Sequence, residues 1–238
     1  MHAFDGQFIN EEFYAGSVKP ADLDLLLADG WRHFGTHFFR YNFGMYEFDL
    51  RRVIPLRIRL ADFSYSKSLR RILRRNSSLR TAVGPINVDT DVEQMFAEHA
   101  LRFNYGRPDS VYDFLSHEPA AVPVPAFEVK VFEGDKLIAA SFFDAGEHAV
   151  SGIYGMFDPA EERRSLGIFT MLKEIEFAME SGKDFYYQGY CYEGESFYDY
   201  KKRFRATECY DWRGNWTAFE SAEQNAAVEA RPHGSANP

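Results

Sequence analysis

Apolar positions recur at helical spacing in four stretches of the chain and alternate in several others, and the two periods predict its elements. Residues 20–29 (PADLDLLLAD) read as a short helix, opened by Pro20 or Asp22 and closed by Gly30. Residues 31–41 (WRHFGTHFFRY) predict strand interrupted at Gly35, and 42–52 a loop around Gly44. Val53, Ile54, Leu56, Ile58 and Leu60 predict a further strand, with Arg57 and Arg59 on its other face. In 66–75 (SKSLRRILRR), Ser66 or Ser68 supplies a cap, and Leu69, Ile72 and Leu73 form an apolar stripe. Another helix is expected over 89–105, ending before Gly106.

Three prolines in 117–126 (HEPAAVPVPA) exclude a continuing helix and mark the expected domain boundary. Beyond them the pattern predicts strands over 127–133, 136–144 and 149–158, joined by turns at Gly134-Asp135 and 146–148. A helix over 167–181 and a strand over 184–192 (DFYYQGYCY) follow. The expected division is an N-terminal α+β part (1–88), a connecting helix and Pro-rich linker (89–125), a catalytic domain (126–217) and a flexible tail (218–238). A meander of strands, a helix and another strand is the order of the GNAT-type acyltransferase fold, so the fold class expected is α+β with a GNAT-like domain. Arg163 to Gly167 (RRSLG) fall at its strand-to-helix transition. There the backbone N–H groups of Arg164, Ser165, Leu166 and Gly167, helped by the helix dipole and the Arg163 and Arg164 guanidiniums, can receive a phosphate or carboxylate.

Composition narrows the class. Of 238 residues, 45% are hydrophobic and 26% charged, which excludes wholesale disorder, and the aromatic share of 17% points to ring-lined pockets. Two cysteines exclude a disulfide framework and any four-cysteine metal site. Nor do the seven histidines predict a metal site. The acidic first thirty residues predict no signal peptide, and no stretch has the roughly 18 apolar residues of a membrane span. A cytoplasmic monomer with no membrane partner is expected.

The net charge of −9 argues against nucleic acid until its distribution is read. Residues 51–80 hold ten cations against Asp62 alone, a local charge of +9, while the remaining chain carries −18. On the 66–75 helix, Lys67, Arg70, Arg71, Arg74 and Arg75 fall three and four residues apart. That makes a cationic face for a phosphate backbone, or else a solvated face paired with acidic neighbours.

With these pieces in place, the chain resembles the arginyl/leucyl-tRNA–protein transferase family. The resemblance is carried by LDLLLADGWRHFGTHFFRY (23–41), PLRIRLADFSYSKSLRRILRRN (55–76), IYGMFDP (153–159), RRSLGIFTMLKEIEFA (163–178) and the FYYQGY…YDYKKRFRATE region (185–208). It implies transfer of an amino acid, arginine or leucine, from charged tRNA to the N-terminal amine of a protein, typically one starting with Asp or Glu. Aminoacyl-tRNA is then a co-substrate and no cofactor is expected. Tyr200-Lys201 matches the family's Y-K and is placed nearest the reacting carbonyl. Tyr154, Tyr187, Gln188, Tyr190, Glu193, Glu195 and Asp199 are assigned to the aminoacyl or acceptor pocket. Strand alternation sets Tyr186, Gln188 and Tyr190 on one face, with Tyr187 and Gly189 on the other. The three acids either select a cationic amino acid or form a solvated loop.

The chain departs from the family where the latter carries a cysteine cluster: that stretch reads FGMYEFDLRRVIPLR, with no cysteine before Cys191. Two other readings stand beside transfer from tRNA. One is a GNAT N-acyltransferase using an acyl-CoA; the other is a non-catalytic tRNA- or degron-binding relative.

Overall fold

The computed structural model describes residues 7–103 and 106–219, so the expected tail lies almost wholly outside the described residues. Its strands are β1 (Asn10–Tyr14), β2 (Arg32–Phe34), β3 (His37–Tyr41), β4 (Phe43–Tyr46), β5 (Asp49–Arg59), β6 (Arg80–Pro85), β7 (Ala126–Glu133), β8 (Lys136–Ala145), β9 (Ala149–Phe157), β10 (Phe185–Tyr192), β11 (Thr207–Tyr210) and β12 (Trp216–Ala218). Four α-helices accompany them: α1 (Pro20–Ala28), α2 (Lys67–Arg75), α3 (Thr90–Ala100) and α4 (Leu166–Glu180).

The helices form where capping and apolar spacing agree. Ser66 accepts from the Leu69 N–H at the start of α2, and Leu69 and Ile72 are buried. Asp89 accepts from the Val92 N–H at the start of α3, which ends at Ala100, earlier than expected. The expected loop over 42–52 is instead a hairpin, β4 pairing with β5 from Phe43↔Arg52 to Tyr46↔Asp49.

Nine strands make one sheet, in the order β12-β11-β5-β10-β9-β8-β7-β6 with β4 beside β5; β1, β3 and β2 make a small second sheet. Strands β5 and β6, from before residue 88, thus lie in the same sheet as those after 126. Hydrogen bonding between β5 and both β10 and β11 overrides the expected division at 88 and 126. Helices α4 and α2 cover one region of the sheet, burying Ile58, Val129, Val131, Ile138 and Tyr186. Helix α3 packs with Ala140, Phe142 and Met156, while α1 and Phe38 pack with Ala149 and Tyr187.

The meander β7-β8-β9, then α4, then a strand parallel to β9 is a GNAT-like arrangement. Strand β10 pairs with β9 over only three residues, Phe185–Tyr187 against Ala149–Ser151. Past that point β9 runs on to Phe157 and β10 to Tyr192 without pairing, and the sheet opens as a fork.

Candidate active site

The fork is lined by what the separating strands stop sharing. On β10 the register against β5 slips between Tyr187 and Gly189, leaving Gln188 in a bulge. The bulge breaks the expected alternation. Tyr186 joins the α4 side, where its hydroxyl donates to Glu174 Oε2 at 2.6 Å. Tyr187 joins the α1 cluster and accepts from Arg57 Nη1 at 3.2 Å. Tyr190 reaches the α1 and small-sheet side as well, donating to Gly30 O at 2.6 Å and lying 5.3 Å from the Tyr41 ring. Tyr187 is therefore a core residue, not a pocket residue as expected.

Gln188 and Lys201 bind one another's surroundings. The Gln188 amide donates to Lys201 O at 2.8 Å, and Lys201 Nζ donates to Tyr190 O at 3.0 Å. Lys201 belongs to the 3-10 turn Phe197–Arg203, which folds back against β10. Gly189, at φ 88°, leaves the space: a Cβ there would stand 3.3 Å from Lys201 Nζ and 3.6 Å from Arg32 Nη2. Burial, with Arg32 close by, pushes the Lys201 ammonium down to about 7. Burial also raises the neighbouring Tyr200 phenol.

Groups not among the expected site residues complete the floor. Arg32 of β2 enters the fork and donates to Ser151 Oγ and Gly152 O. Glu174 of α4 is 2% exposed, and burial lifts its carboxyl to about 7. Gly152 makes room for it, since a Cβ would stand 3.1 Å from Glu174 Oε2 and 3.0 Å from the Tyr186 hydroxyl. His33 and Asp144 are a buried pair at 2.9 Å. The sequence does carry a signal for Glu174, which falls between Met171 and Ala178 on the buried stripe of α4. Arg32 gives none, because its partners lie about 120 residues away.

Two polar atoms of the expected pocket are buried and meet no partner among the described residues: Gln188 Oε1 and the Tyr154 hydroxyl. Tyr154 stands on β9 beyond the last paired residue, stacked on Phe114 at 4.1 Å, with burial raising its phenol to about 12. Groups of this kind are satisfied by a ligand or by water.

The other expected residues divide. Glu193 and Glu195 are exposed in the loop after β10, and Asp199 is bound to Lys202 at 2.7 Å and to Ser196. These acids form a solvated loop outside the fork. Arg164 is held by Glu161 at 2.6 Å and Glu133 at 2.5 Å, so its guanidinium ties the meander to α4 instead of waiting for an anion. Leu166 is fully buried and Ser165 takes a left-handed backbone at φ 58°; with Gly167 they supply only main-chain N–H groups at the start of α4. His33 and His37 do stand four residues apart, but on a hairpin, where one meets Asp144 and the other Glu12. Among the described residues no three of His, Cys, Asp or Glu gather as a metal site. Nor is any helix there long and apolar enough to cross a membrane.

The basic segment separates by element. Arg57 and Arg59 pair with Glu208 at 2.7 and 2.6 Å, and Arg57 also lies over the Phe185 and Trp216 rings. The five cations of α2 are exposed and, among the described residues, meet no carboxylate. Their helix is fixed to the fork: Arg75 donates to Arg163 O, and Asn76 Nδ2 to Arg164 O at 3.0 Å. A cationic face thus adjoins the N-terminus of α4, where the exposed Arg163 extends it.

Among solved structures, FemX matches with a TM-score of 0.45 at 12% identity, over 79% of this chain and 65% of that one. L-PGS from Bacillus licheniformis matches with 0.44 at 14%, over 92% and 58%. The chain is 31% identical over 196 residues to an aspartate/glutamate leucyltransferase of Xanthomonas campestris pv. campestris, covering 74% of this chain and 73% of the relative. It is 28% identical to that of Stenotrophomonas maltophilia, over 71% and 70%. Residues 90–211, which include the fork, α4 and Lys201, match the family model described as arginine-tRNA-protein transferase, C terminus, and the chain belongs to that family.

Proposed function

We propose that this chain transfers leucine from charged tRNA to the N-terminal amine of a polypeptide beginning with Asp or Glu, with no cofactor. The observation that carries the reading is the cationic face of α2, which meets no carboxylate among the described residues and is bound through Arg75 and Asn76 to the start of α4 beside the fork. It offers the acceptor stem a surface from which the terminal adenosine reaches the fork. An acyl-CoA gives those five cations no task.

Leucine is favoured over arginine by charge. Arg32 and Lys201 both approach Gly189 at the fork, and the carboxyl there, Glu174, is engaged by Tyr186. A guanidinium would meet that of Arg32, whereas Glu193, Glu195 and Asp199 lie outside. The relatives named leucyltransferases agree with this choice.

The aminoacyl ester is already activated, so positioning and proton management suffice. The acceptor nitrogen attacks the ester carbonyl carbon, the carbon–oxygen bond to ribose breaks, and an amide forms. Lys201, poised near neutrality, takes the proton the nitrogen loses and returns it to the departing ribose oxygen. Gln188 and Tyr154 meet polar atoms of the aminoacyl group. The test supplies the protein with tRNA charged separately with leucine and arginine, plus an Asp-initiated peptide. Leucyl-peptide is expected; arginyl-peptide alone would reverse the donor assignment, and no product with either would sink the reading.

A further inference from the structure

Hairpin β4–β5 turns through Glu47 and Phe48 at φ 47° and 68°, a left-handed conformation that glycine and asparagine usually supply. Here the tip instead carries Phe48, which is 88% exposed. Met45, Leu50 and Phe197 near it are exposed by 63%, 66% and 61%. Exposed apolar groups gathered in this way mark an interaction surface.

The patch belongs to a lip of the fork. Arg51 lies over the Tyr46 ring and donates to Glu195 O at 2.5 Å, and the Tyr46 hydroxyl accepts from the Phe197 N–H at 2.9 Å. From there tyrosines lead inward. Tyr46 and Tyr192 are 5.0 Å apart, Tyr192 and Tyr198 are 6.0 Å apart, and Lys201 Nζ is 5.1 Å from the Tyr198 ring. The line spans about five extended residues. The carboxylates of Glu47, Glu193 and Glu195 on its outer rim form no ion pair among the described residues, while Arg51 and Lys202 beside them pair with Asp49 at 3.6 Å and Asp199 at 2.7 Å. Such a rim repels a phosphate backbone and attracts a basic polypeptide.

Building on the transferase reading, we propose that this lip docks the acceptor polypeptide downstream of its N-terminus. The first residue sits at Lys201 and the next few pass Tyr198, Tyr192 and Tyr46. An apolar and basic segment beyond about the fifth residue then settles on Phe48, Met45, Leu50 and Phe197.

Three Asp-initiated acceptors test this: a dipeptide, a decapeptide with Leu, Phe and Lys in its second half, and one with Ser and Glu there. The basic, apolar decapeptide is expected to show a KM about tenfold below the other two, as loss of an aromatic anchor commonly costs. Phe48→Asn combined with Phe197→Ser should erase that gain, asparagine being tolerant of the left-handed turn, and leave dipeptide transfer and tRNA affinity as they were. A KM indifferent to length and sequence would overturn the proposal. So would a double variant that loses tRNA affinity, which would assign the patch to nucleic acid, or one that only abolishes self-association of the wild type. Polarisation of a fluorescein-labelled basic decapeptide reads docking without transfer. Binding that the double variant loses supports the docking surface even if no aminoacyl group moves, whereas dipeptide transfer without decapeptide binding removes it and leaves the transferase reading intact.

Discussion

Lys201 is a lysine whose surroundings oppose its charge. An ordinary ammonium titrates near 10.4 and would be charged throughout the physiological range. With the value lowered to about 7, Lys201 is cationic at pH 6 and mostly neutral at pH 8. As proton acceptor it should therefore give a transfer rate that rises about tenfold between those pH values. The acceptor's own α-amine titrates near 8 and adds a second rise. Lys201→Arg, which cannot deprotonate, should lower kcat by about a hundredfold and leave only the inflection near 8, read from a rate profile over pH 5.5–9. An unchanged inflection near 7 in that variant would take the role from Lys201.

At the scale of elements, α2 is a cationic surface held by apolar anchors, Leu69 and Ile72 below and Asn76 at its end. Arg70→Glu, Arg71→Glu and Arg74→Glu all lie on its exposed face, so the triple variant should fold normally. It should weaken tRNA binding and flatten the slope of log K against log salt by about 2 to 3, near 0.9 for each phosphate no longer neutralised; filter binding from 50 to 300 mM salt measures both. This helix is legible in the sequence because its cap, stripe and charges are local, as are α1, α4 and the meander β7-β8-β9. The hairpin β4–β5 is not, since Glu47 and Phe48 are not turn formers and nothing local announces their left-handed backbone. Strand β11 escapes the sequence for a related reason: its four residues are strand because β5 lies beside them. The tyrosine strand falls where its pattern predicts, but with its faces misassigned, because a bulge at Gln188 has no signature beyond the adjacent glycine. Of the candidate site, Gln188 and Lys201 come together at the fork, while Tyr154 packs on Phe96 and Phe114. Tyr187 and the acidic loop do not join them, and Arg32 depends on partners that no sequence window contains.

Across the molecule, Arg32 joins the two sheets. It rises from β2 of the small sheet into the opening of the large one and is 9% exposed there. Asp144 and Glu174 stand in its field. Arg32→Met keeps much of the volume and removes the charge, leaving those carboxyls without it; a loss of about 3–5 kcal/mol in urea unfolding is expected. A cost below about 1 kcal/mol would mean that the small sheet is held by its apolar packing with α1 alone. The net charge also acquires a geometry: the −9 total conceals a helix whose cations meet no carboxylate among the described residues, at one end of the fork, and three open carboxylates, Glu47, Glu193 and Glu195, by the tip of hairpin β4–β5.

The central position of β5 sets an order of events for the chain as it is made. Two of its three partners in the sheet, β10 and β11, are encoded more than a hundred residues later. During synthesis β5 leaves the ribosome with only β4 to pair with, along Asp49–Arg52, and both edges of Val53–Arg59 stay open until Phe185 and then Thr207 arrive. The sheet therefore closes late, around a strand made early. Pairing over such sequence distances slows folding and leaves a hydrophobic edge exposed to other chains meanwhile. Residues 90–211, though they coincide with the span of the family model, lack the strand that joins β10 to β11 and do not carry a whole sheet of their own.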